Sequence, residues 1–232
     1  MLLSILIPVF NEAESIEKVL LELNEISISG VDFEIIVVND GSTDGTREVL
    51  GNLDMLYGTV IHSERNAGKG DAVIRGLEAA TGEFVLVQDA DLEYHPRDIE
   101  KLLRPIRDFS ADLVMGSRFL SPEVRRVGYY WHRIGNSMIT GIFNVLNNSL
   151  FSDIYTGYIV FRRSLLQASE LKRLGWDQQA EILSLIYPRV KAAYEVAIAY
   201  HPRSYLEGKK IRPHHIFRVV ITMITLRIFR RG

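Results

Sequence analysis

Short apolar runs alternate with amphipathic stretches along the first half of the chain. Leu3–Val9, Phe33–Asn39, Gly58–His62, Phe84–Gln88 and Asp112–Gly116 have the length and β-rich composition of strands. The stretches around Glu12–Glu25, Thr46–Leu53, Gly70–Ala80 and Arg97–Phe109 read as helices. Runs such as Glu34-Ile35-Ile36-Val37-Val38 are continuously apolar, which indicates burial on both faces. Strand–helix alternation of this kind predicts an α/β fold, a mostly parallel sheet with helices on both faces. Past Gly116 the pattern loosens. Tyr129–Leu150 is long, apolar and aromatic, Thr156–Arg162 reads as a further strand, and Gln179–Ile186 reads as a helix. No repeat or linker interrupts the 232 residues, so one large domain is expected.

Polar clusters fall at the ends of the predicted strands. Asn11-Glu12 follows the first, Asp40-Gly41-Ser42 the second, Glu64-Arg65-Asn66 the third and Asp89-Ala90-Asp91 the fourth. Ligands of parallel sheets bind beyond the carboxyl ends of the strands, so the four clusters are expected to converge on one edge. In extended chain, residues two apart point to the same side, which would aim Asp89 and Asp91 at one ligand. Mg²⁺ and Mn²⁺ take oxygen ligands, commonly one or two carboxylates plus substrate phosphates. A cation there would neutralise a departing diphosphate. An isolated Asp-x-Asp is often only a solvated loop, but here it follows the buried run Phe84-Val85-Leu86-Val87. Asp40 sits at a strand tip where it could accept hydrogen bonds from a base or ribose, while Asp44 or Thr43 is explained by capping the next helix. The dinucleotide fingerprint Gly-x-Gly-x-x-Gly is absent from this turn.

Composition adds two points. There is no cysteine, which fits a reducing compartment and restricts metal ligands to oxygen and imidazole. Pro8-Val9-Phe10-Asn11-Glu12 follows the first apolar run at once, so that run reads as a strand and not a signal peptide. The net charge of −2 conceals a basic tail: from His201 onward, eight basic residues (Arg203, Lys209, Lys210, Arg212, Arg218, Arg227, Arg230 and Arg231) face one acid, Glu207. An otherwise acidic body disfavours a nucleic-acid partner and leaves an anionic membrane surface as the fitting one.

Four segments in order resemble the family 2 glycosyltransferases of GT-A fold, and within them the polyprenyl-phosphate (dolichyl-phosphate) sugar synthases. They are Pro8-Val9-Phe10-Asn11-Glu12, Val38-Asn39-Asp40-Gly41-Ser42-Thr43-Asp44-Gly45-Thr46, Arg65-Asn66-Ala67-Gly68-Lys69-Gly70 and Asp89-Ala90-Asp91-Leu92-Glu93. Gly116-Ser117-Arg118, the Arg133 region, Asp153-Ile154-Tyr155-Thr156-Gly157-Tyr158, Tyr200-His201-Pro202-Arg203 and Glu207-Gly208-Lys209-Lys210 extend the likeness over nearly the whole chain. The resemblance implies that Pro8, Asn11, Glu12, Asp40, Lys69, Asp89 and Ala90 surround a nucleotide diphosphate sugar. It further implies that Asp89, Asp91 and Glu93 serve Mg²⁺ or Mn²⁺, that Arg118 and Arg133 meet phosphates, and that Asp153 lies on the acceptor side. Asn39 stands where many relatives carry a first acid, and Glu93 where some carry Gln. For Lys69 and Arg133 a solvated or snorkelling cation is the plain alternative. Trp131 with Tyr129 and Tyr130 suits the core, a membrane interface or sugar stacking.

Ile216–Phe229 is apolar except for Arg218, Thr222, Thr225 and Arg227. Its fourteen residues would span about 21 Å as a helix, short of the roughly 30 Å of a bilayer core. With Arg218, Thr222 and Thr225 expected on one face, residues 212–232 read as a basic amphipathic helix lying on anionic lipid, continuous with a catalytic domain over 1–211. A helix docked on the core or on a partner is the alternative. The resemblance thus implies a cytoplasmic enzyme, peripheral on the cytoplasmic face of a membrane, that moves a hexose from a GDP-mannose or UDP-glucose type donor to a polyprenyl or dolichyl phosphate with inversion. A separate membrane-spanning subunit is a further partner to test. Two other readings stand beside it: transfer to a saccharide hydroxyl with Asp153 or Glu93 as base, and a non-catalytic nucleotide-sugar-binding subunit.

Overall fold

The computed structural model describes residues 1–120, 127, 129–175, 177–202 and 215–229. The expectations placed on Arg203, Glu207, Lys209, Lys210, Arg212, Arg230 and Arg231 lie outside the described residues.

The described strands form one seven-stranded sheet. In chain order the elements are β1 (Leu2–Val9), α1 (Ile16–Asn24), β2 (Asp32–Asn39), α2 (Thr46–Gly51), β3 (Thr59–His62), α3 (Lys69–Ala79), β4 (Phe84–Val87), α4 (Ile99–Phe109), β5 (Leu113–Ser117), α5 (Tyr130–Asn147), β6 (Ile159–Arg162), α6 (Gln178–Ile186), β7 (Ala193–Ala197) and α7 (His215–Phe229). The strand order is β3-β2-β1-β4-β6-β5-β7. β3, β2, β1 and β4 are mutually parallel, so their carboxyl ends share one edge, as the polar clusters required. β6 runs antiparallel between β4 and β5, and β7 closes the sheet parallel to β5.

Two apolar layers cover the sheet. One, with α3, α6 and α7, holds Leu6, Ile36, Val85, Phe161, Leu183 and Met223; the other, with α1 and α4, holds Ile5, Val37, Leu86, Leu20 and Leu102. Adjacent residues of one strand thus enter opposite layers, which is why the strands read as unbroken apolar runs.

Three sequence expectations need correcting. β7 escaped detection because its five residues are only half-buried and carry no continuous apolar signal. The first helix begins at Ile16, not Glu12, because a turn closed by Ser15 N–H to Glu12 O precedes it. Thr222 does not lie on a polar face of α7: it is buried and its hydroxyl donates to Asp177 at 3.1 Å. α7 packs on α5 and α6, so it is docked on the core. Its outward stripe is Phe217, Ile221, Ile224 and Ile228, at helical spacing. Among the described residues no helix is long and apolar enough to cross a membrane.

Candidate active site

A cleft of about 410 Å³ opens at the carboxyl edge of the parallel strands. Pro8, Glu12, Asp40, Lys69, Asp89, Ala90, Asp91, Glu93 and Arg118 line it. Asn11 supports its rim: held at φ 56°, it accepts a hydrogen bond from Thr43 N–H at 2.8 Å and donates its own N–H to Ser42 Oγ at 3.0 Å. Asp153 and Arg133 are not among the lining residues.

At one end of the cleft, Asp40 leaves the tip of β2 and grips the loop before α3. Its two carboxylate oxygens accept the N–H of Ala67 at 2.9 Å and of Gly68 at 2.8 Å. Burial raises the Asp40 pKa, and these two hydrogen bonds oppose the shift without cancelling it. Asp40 therefore shapes the loop that carries Lys69, in addition to facing the cleft. Asn39 accepts Ser42 N–H through its oxygen and faces His62 Nδ1 through its amide nitrogen at 3.2 Å. An amide meets both demands with a neutral imidazole. Asp44 does not occupy the cap of α2, where Gly45 sits, but accepts Thr46 N–H at 3.1 Å from one position earlier.

Lys69, first residue of α3, is ion-paired with Asp89. The acid segment itself is a turn, not extended chain: β4 ends at Val87, and Leu92 is held at φ 59°. A bulky residue in the left-handed region marks local strain, a feature that gathers at ligand sites. Asp91 Oδ1 accepts Glu93 N–H at 3.0 Å, and Glu93 accepts the Tyr200 hydroxyl at 2.9 Å. Among the described residues no three acidic or histidine side chains are grouped to hold a metal ion, so the triad Asp89, Asp91 and Glu93 is not preassembled.

The surroundings of Arg118 are built differently. Arg118 follows β5 and makes a forked pair with Asp153, Nε to Oδ2 at 2.8 Å and Nη2 to Oδ1 at 3.0 Å. Its backbone N–H also donates to Asp153, and its Nη2 to Tyr155 O at 2.7 Å. Asp153 is wholly buried and takes a further hydrogen bond from Asn136 of α5 at 2.7 Å. Burial alone would depress the Arg118 pKa; the charge of Asp153 outweighs it and fixes the cation. Asp153 has no open access to the cleft and holds Arg118. The Arg118 guanidinium lies 5.0 Å from the centre of the Tyr200 ring, so Tyr200 joins Arg118 to Glu93. Arg133, exposed on α5, stacks on the Phe119 ring at 3.6 Å, beside Arg118.

The structure adds lining residues that sequence patterns did not single out. Tyr94, Tyr155, Leu174, Gln178 and Gln179 complete the walls. Tyr94 accepts Gly157 N–H at 2.8 Å and stacks between Tyr158 and Tyr200. Gln178 donates to Gly70 O at 2.6 Å, tying α6 to the start of α3. Apart from Tyr155, which lies within the 153–158 motif, nothing local marks these residues; they enter the cleft by long-range packing.

The architecture is that of the GT-A class. A glucosyl-3-phosphoglycerate synthase of Mycobacterium tuberculosis, solved with Mn²⁺, uridine diphosphate and phosphoglyceric acid, superimposes with a TM-score of 0.72 at 22% identity over 99% of this chain and 78% of that one. The chain belongs to glycosyl transferase family 2, whose family model matches residues 4–169. A dolichol-phosphate mannosyltransferase of Pyrococcus furiosus is 31% identical over 229 residues, 95% of this chain and 64% of that protein. The glycosyltransferase AglJ of Haloferax volcanii is 30% identical over 200 residues, 86% of this chain and 63% of that protein. The chain spans less than two thirds of the length of these curated relatives.

Proposed function

We propose that this chain is an inverting, metal-dependent glycosyltransferase that moves a hexose from a nucleotide diphosphate sugar, of GDP-mannose or UDP-glucose type, to a polyprenyl or dolichyl phosphate at a membrane surface. The observation that carries the reading is one cleft with an acid turn, Asp89–Asp91, at one side and a guanidinium clamped on a buried carboxylate, Arg118 on Asp153, at the other. Asp89, Asp91 and Glu93 offer the cleft hard carboxylate oxygens, the ligand type that Mg²⁺ or Mn²⁺ takes alongside substrate phosphates. Asp89 and Asp91 would hold it, with Glu93 beside them, and bound there it would neutralise the leaving diphosphate.

The chain's own residues supply the rest. Asp40 and the loop it grips frame the nucleotide, with Pro8, Glu12 and Ala90 around it. Lys69 exchanges its Asp89 partner for a donor phosphate. Arg118, with Arg133 next to it, orients an anionic acceptor oxygen for in-line attack at the anomeric carbon. An acceptor that is already anionic needs no strong base. The alternative transfer to a sugar hydroxyl needs one; Asp153 is sealed behind Arg118 and Asn136, which leaves Glu93, engaged by the Tyr200 hydroxyl, as its base. A membrane surface is supported by exposed apolar side chains on two helices that pack together. Trp131, Met138 and Val145 form a stripe on α5, and Phe217, Ile221, Ile224 and Ile228 form one on α7. Trp131, 76% exposed, and Tyr130, 70% exposed, are not core residues.

The test is incorporation of labelled sugar from GDP-mannose or UDP-glucose, with Mn²⁺ and polyprenyl phosphate, into the organic phase. Wild-type chain is expected to transfer label, and Asp91→Ala to lose at least about a hundredfold of that rate, the scale of one missing transition-state contact, with an unchanged melting midpoint. Label appearing only on soluble saccharides would favour the hydroxyl reading. Full turnover by Asp91→Ala would sink the site assignment.

A further inference from the structure

Beyond the cleft lies a half-buried carboxylate that the proposed reaction does not use. Glu195 is on β7, the edge strand, in register with Met115 of β5. Its carboxylate accepts Ser152 N–H at 2.8 Å, Ser152 Oγ at 3.1 Å and Asp153 N–H at 3.1 Å. Ser152 in turn shares a hydroxyl contact of 2.6 Å with Ser117, the residue before Arg118. Ser117 Oγ accepts the N–H groups of Phe119 and Leu120, both at 3.1 Å. One acid therefore gathers three donors from the 152–153 turn, and that turn carries the carboxylate that clamps Arg118.

We propose that Glu195 is a positioning residue for Arg118, acting through the 152–153 turn and Asp153. Asp153 receives four donors and needs a fixed main chain to receive them in register: the N–H, Nε and Nη2 of Arg118, and Nδ2 of Asn136. Its own backbone is otherwise in a segment without helix or strand ladder, between α5 and β6. Glu195 supplies the missing anchor from a rigid strand, so that the guanidinium fork enters the cleft already oriented. A shortened side chain leaves Ser152 N–H and Asp153 N–H without their acceptor, and the turn drifts. Burial holds the Glu195 pKa above the ordinary glutamate value, against the hydrogen bonds from Ser152 and Asp153.

The acceptor-phosphate role of Arg118 is the part of this inference that rests on the proposed function; the positional role does not. Two readouts separate them. In nitrogen-15 spectra of the whole chain, the Nε proton of Arg118 is expected to exchange slowly with water in the wild type. It is expected to exchange at least tenfold faster in Glu195→Ala. Arg162 Nε, which donates to Asp112 at 2.9 Å well away from the turn, serves as the internal standard and should not change. Glu195→Gln, which keeps one acceptor oxygen, should fall between. Unchanged Arg118 exchange in Glu195→Ala, or equal acceleration at Arg162, overturns the proposal. In the transfer assay, Glu195→Ala should raise KM for polyprenyl phosphate about tenfold while KM for the donor stays within twofold. In an Arg118→Ala background the same substitution should add nothing, whereas additive losses would mark Glu195 as merely structural and overturn the proposal. If Arg118→Ala itself leaves the acceptor KM unchanged while Arg118 exchange still responds to Glu195, the acceptor reading fails and the positional one stands.

Discussion

The two ends of the cleft hold their charges by opposite means. At the donor end, Lys69 and Asp89 pair across partly exposed side chains, 39% and 18% accessible, on a loop set by backbone hydrogen bonds to Asp40. At the other end, Arg118 and Asp153 are 14% and 0% accessible and are joined by a fork. An exposed pair is worth little and opens readily, which suits the proposed exchange of the Asp89 partner of Lys69 for a substrate phosphate. A buried pair opens only with an unpaired charge left behind, which suits a group that must keep one orientation through the reaction.

The largest effect that distinguishes the ends is therefore expected from Asp153→Asn. The substitution leaves the Arg118 cation buried against an amide whose nitrogen competes with the fork, and breaking one partner of such a pair costs about 3–5 kcal/mol. Denaturant unfolding should show that loss as a lower midpoint with an unchanged slope. Lys69→Met, cutting the exposed pair, should change stability by less than about 1 kcal/mol while raising the donor KM. Equal losses of stability in the two variants would erase the contrast.

That contrast also sets what could be read from sequence. The donor end comes from parallel strands separated by single helices, so each apolar run is followed directly by its functional turn. Asp40 and Asp89 were found because the strand before each is continuous and the residue after it is polar. The other end draws on an antiparallel insertion, an edge strand and α5, with partners 35 residues apart between Arg118 and Asp153 and 43 between Ser152 and Glu195. Arg118 and Asp153 could be picked out by family resemblance, but not their pairing. Glu195 was invisible, since Ala193–Ala197 has neither length nor apolar continuity. The place of Asp89–Asp91 at the end of β4 is legible in the sequence, but its shape is not: a turn with Asp91 Oδ1 accepting Glu93 N–H, Leu92 at positive φ and Tyr94 buried behind it.

A middle-sized effect tests how tightly the donor loop is held by the second half of the chain. A Cβ on Gly70 would lie 2.5 Å from Arg173 O and from Leu174 Cα, both main-chain atoms that cannot rotate aside. Gly70 also donates its N–H to Leu174 O at 3.0 Å and accepts from Gln178. Gly70→Ala should cost about 1–3 kcal/mol as the start of α3 and the 173–175 wall are forced apart, and the donor KM should rise with it. Gly51→Ala, on α2 with nothing within 4 Å of the added carbon, is the matched control and should be neutral or stabilising by up to about 1 kcal/mol. Thermal midpoints of the two variants decide it; a harmless Gly70→Ala would mean the wall yields freely and does not set the position of Lys69.

The smallest effect is one of pH, and it separates local from global change at the donor end. Burial raises the Asp40 pKa, so on acidification this carboxylate takes its proton earlier than an exposed aspartate would. The neutral acid carries a hydrogen where one oxygen had accepted Ala67 or Gly68 N–H, and the loop ahead of Lys69 loosens. Donor affinity should then fall as pH drops through that raised value, by no more than about tenfold per pH unit for a single proton. The stability term has the opposite sign. A carboxyl whose folded pKa lies above its unfolded one binds its proton more tightly in the folded chain, so protonating Asp40 favours the fold. Asp40 therefore adds no acid instability of its own. Nucleotide titrations across the acid range should thus weaken while Asp40's contribution to the melting midpoint does not. Asp40→Asn, which cannot titrate, should bind donor more weakly at neutral pH and flatten the acid limb. An acid limb as steep in Asp40→Asn as in the wild type would assign the titration to another group and leave Asp40 as a fixed loop anchor.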